Sequence, residues 1–192
     1  NVKKSLNILL NQLKPNDQVG IVSYSSTSHI VLNHTYVSQR DKIIEAINSL
    51  NPQSSTNVEA GLRQGFQHAQ NAYKSNCINR VILCSDGISN TGVSSATGII
   101  DLVKKETEVG LSLSTVGFGF NNYNDEFLEE LAVKGGGYYA YVDSIKEAVR
   151  IFVENATDTL QVIAKDIKIQ VDFDKQTVNK FRLIGYENKT LA

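Results

Sequence analysis

Two side chains that carry oxygen atoms lie at positions in the sequence where they could bind a metal ion. Asp86 follows a short apolar run at residues 81–84, and Thr56 precedes a stretch in which apolar residues have helical spacing. Ligands of open α/β sheets bind beyond the carboxyl ends of the strands. A carboxylate and a hydroxyl are hard oxygen ligands, which suit Mg²⁺ or Mn²⁺ better than zinc. The pattern therefore predicts a divalent-metal site that includes Thr56 and Asp86.

Each of these residues also has an ordinary structural interpretation. Glu59 follows Thr56 at the spacing of a capping box, so the Thr56 hydroxyl could cap a helix. Asp86-Gly87 after a strand is a common turn sequence. A divalent ion also needs about six oxygen ligands, so water, other residues or a partner would have to complete the site. The residues alone leave both interpretations open.

Other kinds of chemistry lack their sequence signatures. The chain has no GxSxG, no GxGxxG after a strand and no GxxxxGK[ST], which argues against acyl transfer, dinucleotide binding and P-loop chemistry. Gly117-Phe118-Gly119-Phe120 is followed by two asparagines rather than by a glycine that opens a helix. The histidines His29, His34 and His68 form no cluster in the sequence, and we expect each of them at the surface or at a strand edge.

Composition and charge narrow the class of protein. Hydrophobic residues make up 41% of the 192 residues, and 19 basic residues balance 20 acidic ones. Without a basic stripe, nucleic acid is not an expected partner. No apolar run approaches the ~20 residues of a membrane-spanning helix, so we expect no membrane span in this chain. Cys77 and Cys84 lack the spacing of a zinc site. Because the chain begins at Asn1 and contains no Met, we expect an upstream segment.

Predicted strands and helices alternate along most of the chain. Ser38 with Asp41, and Ser144 with Glu147, have the spacing of helix starts. This alternation favours a doubly wound, mostly parallel α/β sheet with helices on both faces. The predicted helices lie at 2–13, 38–50, 57–73, 99–103, 127–131 and 144–153, and the strands at 19–24, 30–37, 81–84, 111–118 and 138–142.

The alternation ends near residue 160. Apolar and polar residues alternate over 167–173, and a second apolar stretch follows at 181–186 without a helix between them, which is typical of half-buried antiparallel strands. Two strands alone are marginally stable at best, so this β-hairpin-like extension needs other structure to pack against. We therefore expect one domain at 1–160 and the incomplete start of a β-extension at 161–192.

Several of these stretches together resemble the von Willebrand factor type A (vWA) domain. In chain order they read VGIVSYSS, SSTN before a helix, VILCSDG and LSTVGFG. The segment NYND before FLEELA, and the tail from AKDIKIQVDF to FRLIGYENKTLA, resemble a bacterial subgroup whose domain carries its own C-terminal extension. The resemblance covers essentially the whole chain and implies a Rossmann-like sheet with strand order 3-2-1-4-5-6.

The resemblance also implies a function. Such domains typically carry a metal-ion-dependent adhesion site (MIDAS), in which a DxSxS motif after the first strand acts with a Thr and an Asp from two other loops. Thr56 corresponds to that Thr and Asp86 to that Asp. An acidic side chain of a protein partner completes the coordination of Mg²⁺ or Mn²⁺, so the implied activity is adhesion rather than catalysis. The partner-binding surface around the metal would comprise Ser25, Ser54, Ser55, Asn57 and Gly87.

The chain departs from the family pattern at its beginning. It contains no DxSxS, because Asn1 falls within the first helix, after the position of the first strand. We therefore expect this chain alone to bind metal weakly or not at all. The slot of that strand would be filled by an upstream segment, a separate peptide or a neighbouring chain in a strand-mediated dimer, or the sheet would be rearranged. The loop before Thr56 also reads Ser-Ser where Gly-Gly is common.

Three functional classes remain from the sequence. The first is metal-dependent adhesion or scaffolding. The second is a metal-independent interaction domain of a bacterial envelope protein, and a metal-assisted hydrolase is the most distant. Family members of this kind are often envelope proteins, so the resemblance implies an extracytoplasmic location.

Overall fold

The structure of the chain is a computed structural model. It describes residues 2–52, 55–85, 96–118, 125–154, 171–174, 176–178 and 180. The chain separates into two compact units, Asn1–Gln161 and Val162–Ala192. All the helices and strands described below belong to the first unit.

Helices and strands alternate as the sequence predicts. A 3-10 turn, Val37–Gln39, precedes the second helix, and the last helix continues into a π-helical turn, Arg150–Glu154. No helix in the described ranges is both long and apolar enough to cross a membrane. The helices are α1 (Val2–Leu10), α2 (Arg40–Ser49), α3 (Val58–Gln70), α4 (Ala96–Glu108), α5 (Asp125–Lys134) and α6 (Ile145–Val149). The strands are β1 (Gln18–Tyr24), β2 (Ser28–Tyr36), β3 (Asn79–Ser85), β4 (Leu111–Phe118) and β5 (Gly136–Val142).

The five strands in the described part of the chain form two sheets. β1 and β2 pair in antiparallel fashion, from Gln18 opposite Tyr36 to Tyr24 opposite Ser28, with an irregularity around Ile21. β3, β4 and β5 form a parallel sheet in that order. α4 and α5 provide the crossovers that parallel strands need. This architecture confirms the predicted α/β fold class.

β1 and β3 come together at their carboxyl ends. The phenolic O–H of Tyr24 donates a hydrogen bond to the carbonyl of Cys84 at 2.9 Å. A Cβ at Gly61 would lie 2.7 Å from the Tyr24 ring, and a Cβ at Gly65 would lie 3.6 Å from a methyl of Val81. α3 therefore runs opposite to both strands, and β1 and β3 are parallel to each other. In the part of the chain that the structure describes, no strand pairing joins them.

The strand order is the one that the vWA resemblance implies without its first strand. Within the described residues, β1 pairs with β2 alone and β3 pairs with β4 alone. Residues 171–174, which include the end of the strand predicted at 167–173, are exposed and have no regular secondary structure. Residues 167–170 and the strand predicted at 181–186 lie outside the described residues.

Among the residues that the structure describes, buried apolar side chains form three clusters. The first lies between the parallel sheet and helices α3, α4 and α5 and includes Phe66 and Leu113. The second includes Val116 and Phe152, and α1 and α6 contribute to it. Leu113 and Val116 of β4 belong to different clusters, because alternate side chains of a strand point to opposite faces of the sheet. The third cluster, around Ile43, packs α2 against β1 and β2.

The two predicted helix starts have different outcomes. Ser144 caps α6, with its Oγ accepting a hydrogen bond from the Glu147 N–H at 3.2 Å, as predicted. The prediction for Ser38 was wrong, because the N-cap of α2 is Gln39 and makes no side-chain capping bond. Ser38 lies instead within the 3-10 turn, where the Ser38 N–H donates a hydrogen bond to the Pro15 carbonyl at 3.0 Å.

Candidate functional site

The loop before α3 is bound to the carboxyl end of β1. The Asn57 N–H donates to the Ser25 carbonyl at 2.7 Å, and the Asn57 side-chain amide donates to the Ser26 carbonyl at 3.3 Å. The Ser25 N–H donates to the Thr27 carbonyl at 2.8 Å, within the turn from β1 to β2. Ser25 is only 7% exposed. These bonds hold the start of α3 beside the end of β1.

Asn57, rather than Thr56, is the cap of α3. The Asn57 Oδ1 accepts a hydrogen bond from the Ala60 N–H at 3.0 Å, and Asn is among the best N-cap residues. Glu59 accepts a hydrogen bond from Arg63 at 2.8 Å. The interpretation of Thr56 as the capping residue was therefore wrong by one position. Thr56 is half-buried and directly precedes the cap.

The end of β3 is the second part of the site. Ser85, its last residue, is 4% exposed, and the hydrogen bond from Tyr24 to the Cys84 carbonyl joins this end to β1. Asp86 and Gly87 follow in the sequence and lie outside the described residues, as does Ser54. The described structure therefore brings together the start of α3 and the ends of two strands.

Burial shifts the pKa values of several side chains on the parallel sheet. It raises the pKa of the Cys84 thiol to about 12, so this thiol stays protonated at neutral pH and is not a ready nucleophile. Burial also raises the pKa of Tyr138 and lowers the pKa of the Arg80 guanidinium. The guanidinium carbon of Arg80 lies 5.9 Å from the centroid of the Tyr138 ring.

The polar side chains at this edge are oxygen donors. Ser25, Thr56 and Ser85 carry hydroxyl groups, and the sequence adds the carboxylate of Asp86. This chemistry fits a hard cation such as Mg²⁺ or Mn²⁺. Over the ranges that the structure covers, no three His, Cys, Asp or Glu side chains form a group that could hold a metal. The described residues thus match part of an oxygen-ligand set and would need further ligands.

The expectation that His68 lies at the surface or at a strand edge was wrong. The rings of His34 and His68 contact each other, with centroids 4.2 Å apart, and His68 is 5% exposed rather than at the surface. His34 lies on β2 and His68 on α3, so the pair forms only when the helix packs on the hairpin. No spacing rule within the sequence reveals such a pair.

Comparison with known proteins identifies the family. The model of the von Willebrand factor type A domain matches residues 1–155, and that of the C-terminal region of uncharacterized protein YfbK matches residues 158–192. Uncharacterized protein YfbK of Escherichia coli (strain K12) is 36% identical over 190 residues, which are 99% of this chain and 33% of that protein. Uncharacterized protein sll0103 of Synechocystis is 25% identical over 79% of this chain and 35% of its own length. The chain thus spans about a third of these relatives.

Solved structures share the fold at low sequence identity. A von Willebrand factor type A protein from Catenulispora acidiphila has a TM-score of 0.67 and 16% identity, covering 82% of this chain and 37% of that one. Proximal thread matrix protein 1 from the mussel byssus, with zinc in its MIDAS motif, has a TM-score of 0.65 and 19% identity over 79% of this chain and 40% of that one. Together with the match over residues 1–155, these likenesses show that the chain belongs to the von Willebrand factor type A domain family.

Proposed function

We propose that the protein binds a protein ligand through a divalent cation, Mg²⁺ or Mn²⁺, at the edge where β1, β3 and α3 meet. The observation that carries this proposal is the hydrogen-bonded junction at that edge. Asn57 is bound to Ser25, and Tyr24 is bound to Cys84. The loop that contains Thr56 and the strand that precedes Asp86 therefore belong to one edge of the fold. The vWA family, a family of protein-interaction modules, supports binding as the activity.

The proposal gives each side chain a role. The Thr56 hydroxyl would bind the cation directly, and the Asp86 carboxylate would bind it through a water molecule. The cation supplies a concentrated positive charge that accepts an acidic side chain of the partner. No bond is made or broken, so the protein is not an enzyme in this proposal. The rim that the partner contacts comprises Ser25, Ser54, Ser55, Asn57 and Gly87.

The remaining ligands would come with an additional strand. β1 and β3 are parallel, and each has one described neighbour. A strand between them would pair on both sides and would bring its own terminal loop to the same edge. Either an upstream segment or a neighbouring chain, in a strand-mediated dimer, would supply it. The zinc in the MIDAS motif of the mussel protein supports a metal at this edge of the fold.

A metal-independent interaction domain is the second candidate. It is favoured by the absence, in the described ranges, of a group of three side chains of the kinds that commonly hold metals. A metal-assisted hydrolase is a third and more distant function, which turnover of a phosphoester or a peptide would support. For location, we propose the extracytoplasmic side of a bacterial envelope, tested by protease accessibility in spheroplasts.

Selection of peptide ligands separates the first two candidates. Random peptides displayed on phage are selected on the full-length protein in Mg²⁺, and each selected peptide is resynthesised with its acidic residue changed to the amide. The metal-dependent proposal predicts that EDTA and the Asp→Asn or Glu→Gln change each abolish binding. Peptides that bind equally well in EDTA and without a carboxylate would favour the metal-independent domain.

A further inference from the structure

Two histidine rings lie in contact between β2 and α3. Their centroids are 4.2 Å apart and the ring planes make an angle of 34°. His68 is buried, and His34 is half-buried. The Nε2 of His68 lies 3.2 Å from the carbonyl oxygen of Leu32 on β2. Because a carbonyl oxygen only accepts hydrogen bonds, this nitrogen carries the hydrogen, and His68 binds the hairpin directly.

The backbone of β1 lies against both histidine rings. A Cβ at Gly20 would lie 2.6 Å from the Nε2 of His68 and 3.3 Å from the Nε2 of His34. The first distance is shorter than real Cβ contacts allow, so the two imidazoles occupy space that exists because residue 20 is glycine. Both rings thus lie against the same strand position and contact each other.

Other titratable groups lie on the elements around the pair. On α3, Glu59 pairs with Arg63. On the strands, Tyr24 ends β1, and His29 and Tyr36 lie near the two ends of β2. Helices α2 and α4 and strand β3 pack on these elements, and Glu106 of α4 accepts a hydrogen bond from Gln70 of α3. The titratable groups of α2, α4 and β3 are Arg40, Asp41, Lys42, Glu45, Asp101, Lys104, Lys105, Glu106, Glu108, Arg80 and Cys84.

We propose that the His34–His68 pair is a pH-sensitive contact that holds α3 on the β1–β2 hairpin when both rings are neutral and releases it when they are protonated. Two imidazolium ions in ring contact repel each other. Release would loosen the carboxyl-terminal half of α3, the end opposite to the Asn57 cap. This proposal does not depend on metal binding at Thr56.

The direction of the pH effect follows from the folded state. Burial and the charge of His68 lower the pKa of His34 below its usual value. A histidine whose pKa is lower in the folded state takes up a proton on unfolding, so folding is favoured at higher pH and weakens as the pH falls below about 6.5. If His34 stays neutral in the folded state, the opening equilibrium increases about tenfold between pH 7.5 and pH 5.5.

Hydrogen exchange of the full-length protein tests the proposal. Amide exchange of peptides from α3 is measured at pH 7.5 and pH 5.5 and corrected for the intrinsic pH dependence of exchange. We expect protection of α3 to fall about tenfold or more at pH 5.5 in the wild type. The double variant His34→Gln/His68→Gln cannot become charged, and glutamine retains an amide donor for the Leu32 carbonyl, so its protection should be nearly the same at both pH values.

The control variant is His29→Gln, on the same hairpin but outside the pair, and it should behave as the wild type. Unchanged protection in the wild type, or an equal loss in the double variant, would overturn the proposal. If the double variant has already lost protection of α3 at pH 7.5, the decision rests on NMR titration of the wild-type histidine rings. A His34 pKa below about 6.5 supports the proposal, and a pKa at or above that value refutes it.

Discussion

The phenol of Tyr24 donates a hydrogen bond to the main-chain carbonyl of Cys84 at 2.9 Å. Tyr24 is the last residue of β1, and Cys84 lies one residue before the end of β3. The bond therefore crosses from the antiparallel hairpin to the parallel sheet, between two strands that are not paired in the described structure. It joins the two strand ends that the proposed metal site needs at one edge.

Removing this bond should weaken the junction of the two sheets. Tyr24→Phe deletes the hydroxyl and keeps the ring, so we expect a loss of about 1 kcal/mol in the free energy of unfolding, the usual contribution of such a hydrogen bond. Tyr36→Phe, at an exposed tyrosine of β2, is the control and should change it by less than about 0.5 kcal/mol. Urea unfolding followed by circular dichroism measures both. Equal effects would show that the bond is not a structural link.

Two glycines of α3 should respond to alanine in opposite directions. A Cβ at Gly61 would lie 2.7 Å from the Tyr24 ring, whereas a Cβ at Gly65 would make an ordinary 3.6 Å contact with Val81. Gly65→Ala should therefore stabilise the protein by up to about 1 kcal/mol through helix propensity. Gly61→Ala should destabilise it by about 1–3 kcal/mol, because the ring or the helix must move. Thermal unfolding of both variants checks the contrast, and stabilisation by Gly61→Ala would contradict the packing.

The cap of α3 should depend on the side-chain oxygen of Asn57. Asn57→Ala removes the acceptor of the Ala60 N–H and should cost about 1–2 kcal/mol. Asn57→Asp keeps this acceptor but loses the amide that donates to Ser26, so its loss should be smaller. Asn51→Ala, at an exposed asparagine, is the control. If Asn57→Ala and Asn51→Ala unfold at the same urea concentration, the cap has been assigned to the wrong residue.

The two cysteines should differ sharply in reactivity. Cys77 is exposed, whereas burial raises the pKa of the Cys84 thiol to about 12. At pH 8 only about one Cys84 thiol in 10⁴ would be ionised, and the thiolate is the species that reacts. Iodoacetamide at pH 8 should therefore label Cys77 and spare Cys84 until urea unfolds the chain. Mass spectrometry of the digested protein measures the labelling, and rapid modification of native Cys84 would show that β3 is open to solvent.

The fold was largely predictable because its signals are local. The short apolar run within β3 indicated a buried strand of a parallel sheet, and helical periodicity indicated the helices on either side of it. The C-terminal β-extension was predicted from alternation over 167–173, yet the described residues 171–174 are exposed and not in a strand.

The candidate site was predictable only in part. Thr56 and Asn57 are both suitable caps, and Glu59 has the correct spacing for Thr56, so the sequence cannot decide between them. Which residue caps α3 depends on the Ser25 carbonyl, which accepts a hydrogen bond from the Asn57 N–H and so fixes where α3 begins. His68 lies off the apolar stripe of α3, but the hairpin packs against that flank and buries it. Such contacts join segments distant in the sequence and leave no local pattern.

The central claim is that Thr56 and Asp86 contribute to a divalent-metal site. Its most direct test is calorimetric titration of Mg²⁺ and Mn²⁺ into the full-length protein and into Thr56→Ala, Asp86→Ala and the control Asp101→Ala, whose carboxylate is exposed on α4. The account predicts one saturable site in the wild type and the control, and a loss of at least about tenfold in affinity in each of the other two variants. Wild-type affinity in Thr56→Ala and Asp86→Ala, or no metal binding by the wild type, would contradict it.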